Sequence, residues 1–137
     1  MIGMITLAVV VLVVLAGVGF WIWRWRRPPK LKQQYFKEKW SELQKLLRNP
    51  ERWDVALLQA DDLFDIALKK NRYRGASMGE RMVKAQKRFT DNDGAWFAHK
   101  LRKEVESDPE FKLTEKDLKD ALIAIRQVLK DLGALKR

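Results

Sequence analysis

Three aspartates stand close together near the middle of the chain, at Asp61, Asp62 and Asp65. Asp61 and Asp65 are four residues apart, so on a helix they share a side, together with Asp54. Two carboxylates at that spacing can bind a divalent cation or divide acid and base roles between them. Helical carboxylate metal sites, however, combine Glu with Glu-x-x-His from facing helices, and that pattern does not occur in this sequence. The plainer expectation is a solvated or salt-bridged edge flanking an apolar stripe. Aspartates partly withdrawn from water need cationic partners, and Arg81, Lys100 and Arg102 are the candidates.

His99 is the sole histidine, on a helix side shared with Arg102 and Glu106. Without a serine or cysteine in a recognisable nucleophile context, a structural or surface role is expected for it. No glycine-rich phosphate loop is present. Lys69, Lys70, Arg72, Arg74, Lys84, Lys87 and Arg88 could meet a nucleic-acid backbone, but Tyr73 alone is a poor stacking platform. A solvated basic face is the expectation, with nucleic acid a partner that nothing else in the sequence supports. No catalytic residue, cofactor or metal is expected.

The elements that would position these groups read as helices. Phe36, Trp40, Leu43 and Leu47 make one helix face between about Leu31 and Arg48. Asn49-Pro50-Glu51 restarts the helix: Asn caps, Pro is tolerated at the first position, and Glu suits the positive end. From Glu51 to about Lys70, Trp53, Ala56, Leu57, Ala60, Leu63, Phe64 and Ala67 form a stripe, with Val55 and Ile66 as a second patch. Apolar residues on two sides predict a central helix. Asn71 to Gly75 reads as a loop. Ser77-Met78-Gly79-Glu80 has capping-box spacing and opens a short helix through Met82, Ala85 and Phe89. Asp93 is the expected cap of a helix from about Ala95 to Ser107, with Phe97, Ala98, Leu101 and Val105 inward. Thr114 opens the last helix, whose stripe runs from Leu118 to Leu132, and Gly133 stops it. No alternating strand pattern and no repeat is visible.

One segment differs in kind. Ile2 to Trp23 carries no charged residue, and aromatic residues gather at Phe20, Trp21, Trp23 and Trp25 before Arg26 and Arg27. As a helix it would be ~33 Å long, enough to cross a hydrocarbon core of ~30 Å. A cleaved signal peptide has its cations first and a shorter apolar run. An uncleaved transmembrane anchor over 1–25 is therefore expected, then a basic, proline-containing linker over 26–32, then a domain over 33–137. Trp21, Trp23 and Trp25 suit an interfacial belt, with Arg24, Arg26 and Arg27 at the headgroups. Pro28-Pro29 should stop the helix.

The chain has 137 residues and a formal net charge of +10, of which Arg24, Arg26, Arg27, Lys30 and Lys32 supply five. Half of the excess thus belongs to membrane topology rather than to a nucleic-acid footprint. With the cations after the apolar run, the N-terminus should lie outside and the domain in the cytoplasm. The roughly 105 residues beyond the anchor suit one core. The absence of cysteine excludes disulfides, thiol nucleophiles and cysteine metal sites, and fits a reducing compartment.

Three segments taken together carry a resemblance: Ala60-Asp61-x-Leu63-x-Asp65-x-Ala67-Leu68, Gly75-x-Ser77-Met78-Gly79-Glu80-Arg81, and Trp96-x-Ala98-His99-Lys100-Leu101-Arg102. From about Trp53 to Leu135 the chain resembles the HEPN-like helical domain of small membrane-anchored bacterial proteins. The resemblance implies a helical bundle, often dimeric, and in many relatives a ribonuclease with an Arg-x4–6-His motif. Arg102 matches that arginine. Lys103 stands where asparagine is usual, Ser107, Asp108 and Pro109 occupy the histidine positions, and no histidine lies downstream. Only the scaffold then carries over, with Asp61, Asp65, His99, Lys100 and Arg102 as a degenerate polar network in which Asp61 and Asp65 pair with Arg102 or Lys100. The expected protein is all-α: one membrane-spanning helix, then a four-to-five-helix cytoplasmic bundle at the inner membrane. It should be non-enzymatic and bind the bilayer and a protein partner or second copy. A weak RNase or RNA-binding module is the alternative.

Overall fold

The apolar opening run forms α1 (Ile2–Arg26) in the computed structural model, which describes residues 1–27 and 29–137. At 25 residues α1 is about 37 Å long. Its best window has a mean hydropathy of 2.8, and none of it is buried in protein. It is the one described helix long and apolar enough to cross a membrane. Arg27 is extended, at φ −65° and ψ 131°, as steric contact with a following proline requires. Of the two prolines expected to stop the helix, Pro28 lies outside the described residues.

Five further helices follow: α2 (Gln33–Leu46), α3 (Trp53–Lys70), the short α4 (Met78–Ala85), α5 (Asn92–Ser107) and α6 (Glu115–Asp131). Single 3-10 turns lie at Pro50–Arg52 and Gln86–Arg88, and no strand occurs among the described residues. The protein is all-helical, one long apolar helix followed by a helical domain of four longer helices and a shorter one. Local chemistry sets the starts. Ser77 Oγ accepts from Glu80 N, while Glu80 reaches back to Ala76 N. Thr114 Oγ1 accepts from Asp117 N, and Asn49 Oδ1 from Glu51 N.

The core is drawn from every helix of the domain. Phe36 and Leu43 of α2, Leu57, Phe64 and Leu68 of α3, Met82 of α4, and Ile125, Val128 and Leu129 of α6 are almost fully buried, each contributing about 1.5–3 kcal/mol by burial. Phe64 meets Phe89 edge-on at 5.7 Å. α3 packs against α2, α4, α5 and α6, the central place its two apolar sides predict.

Two boundary expectations are corrected. α5 begins at Asn92, and its cap is Asp91, whose Oδ1 accepts from Gly94 N at 2.9 Å, rather than Asp93. Phe97 is 40% exposed rather than inward. It lies about 200° around the helix from Ala95, and the alanines Ala95 and Ala98 occupy the inner line.

Helix ends meet where the chain arrives from the linker. Gln33 Nε2 donates to Gly133 O at 3.4 Å, and Asn71 Nδ2 to Leu132 O at 3.2 Å. This junction end thus gathers the start of α2 and the ends of α3 and α6.

Candidate functional site

The carboxylate that begins the sequence argument sits inside the protein. Asp61 follows Ala60 on α3, and both are fully buried. The facing side of α5 presents Ala95 and Ala98, whose small side chains let the helices close, and then His99 and Arg102. His99 and Arg102 are three apart and so project together. Asp61 Oδ2 receives both: His99 Nδ1 at 3.0 Å and Arg102 Nη1 at 3.1 Å. A carboxylate oxygen accepts, so Nδ1 carries the hydrogen and the ring is fixed in orientation. Trp96 meets the imidazole edge-on at 6.4 Å.

Arg102 joins this interior to the surface. Its Nη1 also reaches Asp62 Oδ1 at 2.7 Å, and its Nε reaches Glu106 Oε1 at 2.8 Å. Burial opposes the guanidinium charge, but the hydrogen bonds to Glu106 and Asp61, with the charge of Asp62, outweigh it and raise the group above its ordinary value. One atom is left over: Asp61 Oδ1 is buried and has no hydrogen-bond partner among the described residues.

The other candidates go elsewhere. Asp65 binds Arg81 in a two-pronged pair, Nε–Oδ1 at 2.7 Å and Nη2–Oδ2 at 2.8 Å, and Arg81 also donates to Gly75 O. Gly75 is required there, because a Cβ would stand 2.8 Å from that of Glu80. Lys69 adds a contact of 3.4 Å to Asp65. The expected pairing of Asp65 with Arg102 or Lys100 is therefore corrected: Asp65 takes Arg81, another of the candidate cations, while Asp61 takes Arg102, as a salt-bridged rather than a solvated carboxylate and buried rather than at an edge. α4 packs on α3 near its end and supplies Arg81 to Asp65, whereas α5 reaches Asp61 one turn earlier. Lys100 is exposed and forms no ion pair among the described residues. Of the five residues of the expected network, Asp61, His99 and Arg102 come together, and Asp65 and Lys100 do not join them.

A second buried centre closes the junction end. Asp131 Oδ2 accepts from Thr90 N at 2.8 Å and Thr90 Oγ1 at 3.0 Å, and its Oδ1 from Gln127 Nε2 at 3.0 Å. Arg88 donates to Asn71 Oδ1 and to Asp131 O. Arg88, expected on a solvated basic face, instead turns inward, and the site of Asp131 is not evident from the sequence pattern. One local signal bears on it: an acid in the last turn of α6 opposes the helix dipole, so something else must hold it.

The Asp61–His99 pair has the carboxylate–imidazole form that orients a base in hydrolases. No hydroxyl bonds to His99 among the described residues, and no three His, Asp or Glu groups converge on a metal position there. In α1, Trp21 and Trp25 stack at 5.7 Å, and the Arg27 guanidinium lies 3.9 Å from the Trp23 ring centre. Trp21, Trp23, Arg24, Trp25, Arg26 and Arg27 are all exposed, on one turn and a half of helix and its end.

No protein-family model matches the chain, no curated protein is significantly similar to it, and no solved structure shares its fold at a significant level.

Proposed function

We propose that this is a single-pass protein of the inner membrane whose helical domain, on the cytoplasmic side, works without catalysis by binding a protein partner or a second copy of itself. The supporting observation is the closed state of the Asp61 centre. The imidazole and guanidinium that could handle protons or phosphates are bound to a fully buried carboxylate, an arrangement that ties α3 to α5. Side chains suited to binding lie outside: Val83 on α4, Phe97 on α5 and Ile123 on α6 are 51%, 40% and 68% exposed. Apolar groups held in water offer contact area to a partner. The orientation is supported by the five cations between Arg24 and Lys32, at the C-terminal end of the apolar run and just past it.

Cross-linking in native membranes tests this. A partner or dimer adduct is expected, and Phe97→Lys with Ile123→Lys should abolish it without unfolding the domain. Protease added outside intact cells should leave the domain whole; digestion there overturns the orientation.

The second reading, an RNA-binding or residual HEPN-type ribonuclease module, is favoured by exposed cations at 69, 70, 72, 74 and 87. Two further candidates have internal work, since Lys84 Nζ is bonded to Arg74 O and Arg88 to Asn71 and Asp131. A nuclease assay on the purified full chain separates the readings, provided that Arg102→Ala is the control: cleavage that this variant loses supports the second.

A further inference from the structure

The junction end concentrates unpaired positive charge. Lys30 and Lys32 lead into α2, Lys70 and Arg72 end α3, Arg74 lies in the following loop, and Lys87 stands beside the Asp131 centre. All six are exposed, and none forms an ion pair with a carboxylate among the described residues. Asp65 is held by Arg81 and Lys69, Glu80 accepts from Ala76 N, and Asp131 is held by Thr90 and Gln127. Three of the cations surround a cleft of about 460 Å³ whose other walls are Leu31, Tyr35 and Phe36. The cleft is cationic at its rim and apolar in its wall, the pattern of an amphiphile's phosphate and glycerol region.

Backbone geometry adds an independent sign. α3 ends in the same hydrogen-bonded turn as α6: Arg72 N donates to Lys69 O and Tyr73 N to Leu68 O, as Gly133 N donates to Lys130 O and Ala134 N to Leu129 O. The pivot of such a turn is left-handed, and glycine takes it without steric cost. α6 uses Gly133 at φ 78°; α3 places Arg72 at φ 66°. A cation stands at this end against a conformational penalty, a cost that functional sites tolerate.

We propose that the junction end of the domain is a binding face for anionic phospholipid headgroups of the bilayer that holds α1, with a headgroup phosphate seated between Lys30, Lys32 and Lys70. The proposal rests on the reading of α1 as a membrane anchor. Lipid is favoured over nucleic acid because the chain enters the domain at this same end, only a few residues after Arg26. The tether holds the face at high effective concentration beside headgroups, and cations within a Debye length of an anionic surface are attracted to it.

The chain has no cysteine, so single labels can be placed at will. A fluorophore on Gln86→Cys, exposed on the 3-10 turn that carries Arg88 to Asn71, reports the junction end, and one on Glu110→Cys, between α5 and α6, reports the far end. The full chain is reconstituted in vesicles carrying a headgroup quencher, made of phosphatidylcholine alone or mixed with phosphatidylglycerol. Alkaline carbonate extraction first shows whether α1 is integrated; release of the chain overturns the anchor reading and this inference together. With α1 retained, quenching at position 86 is expected to rise about two-fold or more with phosphatidylglycerol, in line with surface attraction per cation, and to relax in high salt. The far label should not respond. Lys70→Gln with Arg72→Gln and Arg74→Gln should remove the rise, whereas Lys103→Gln with Lys112→Gln should not. Equal quenching in both lipids, or a rise that survives the triple substitution, overturns the inference while leaving the anchor intact. So does single-stranded RNA binding by the detergent-solubilised chain that the triple substitution abolishes without any lipid response.

Discussion

The domain buries two carboxylates, and they are provided for differently. Asp131 has both oxygens engaged, by Thr90 and Gln127. Its partners are neutral and sit close to helix ends, where free backbone donors are common. Asp61 lies within α3, fully buried, and one oxygen takes both an imidazole and a guanidinium while the other takes nothing among the described residues. At a helix end a carboxylate can be satisfied by caps and loops. In a helix middle only side chains from a facing helix reach it, so its charge needs a cation and the fit is less complete. The contrast teaches that Asp61 couples two helices through charge, whereas Asp131 fastens a loop through hydrogen bonds.

The largest expected effect follows from removing the charged member. Asp61→Ala leaves His99 Nδ1 without its acceptor in the interior, while Arg102 keeps Asp62 and Glu106, and should cost about 3 kcal/mol, read by denaturant unfolding of the domain. A loss well below that would mean that water or relaxation replaces the carboxylate, and the contrast would dissolve. Asp131→Ala strands only neutral donors and should cost about 1–3 kcal/mol, with amide exchange at Thr90 accelerating more than at His99. A ranking of the two variants opposite to this one breaks the comparison outright.

Asp65 gives an intermediate case, paired with Arg81 but partly open to solvent. Asp65→Ala should lower stability by about 1 kcal/mol, near the top of the range for pairs that water can screen; an unchanged melting temperature would show that the two-pronged geometry adds nothing. At the helix end beside Asp131, Arg72→Gly should raise stability by less than about 1 kcal/mol by relieving the left-handed residue, and Gly133→Ala should lower it by a similar amount. Lys100→Ala should leave the unfolding curve where it is.

The pH dependence of the Asp61 centre is asymmetric. Arg102 is raised above its ordinary value in the folded protein. A cation with a raised folded value gives its full stabilisation below the unfolded value and loses it only as pH climbs above that. On alkalinisation the parent should therefore keep this contribution through the range, above about 10.4, in which the Arg102→Lys variant loses it. A steeper loss in the parent would show that Arg102 titrates early.

Much of the fold was legible because periodicity and caps are local. The stripes of α3 and α6, the starts at Ser77 and Thr114, and the glycine stop at Gly133 depend on side chains within a few residues of one another. The start of α5 was misplaced for the same local reason: Asp91 and Asp93 both suit a cap, and the choice between them depends on where α5 must lie against α6. The candidate network was half legible. Helical spacing showed that Asp61 and Asp65 share a side and that His99 and Arg102 share another, but not which sides meet.

Taken alone, the order of residues determined that the protein is helical, that its first helix is free of charge as far as Trp23, and that basic residues close and follow it. Each of these is a property of a segment and its neighbours in sequence, through backbone hydrogen bonding and hydrophobic periodicity. Only the tertiary structure decided that Asp61 is sealed inside while Asp65 reaches Arg81, that Arg88 turns inward to Asn71, and that the cations before α2, at the end of α3 and in the loops share one end. Burial and charge pairing depend on which surfaces a packed helix covers. Residues such as Asp61 and Arg102, 41 positions apart, acquire that relation only when the chain has closed.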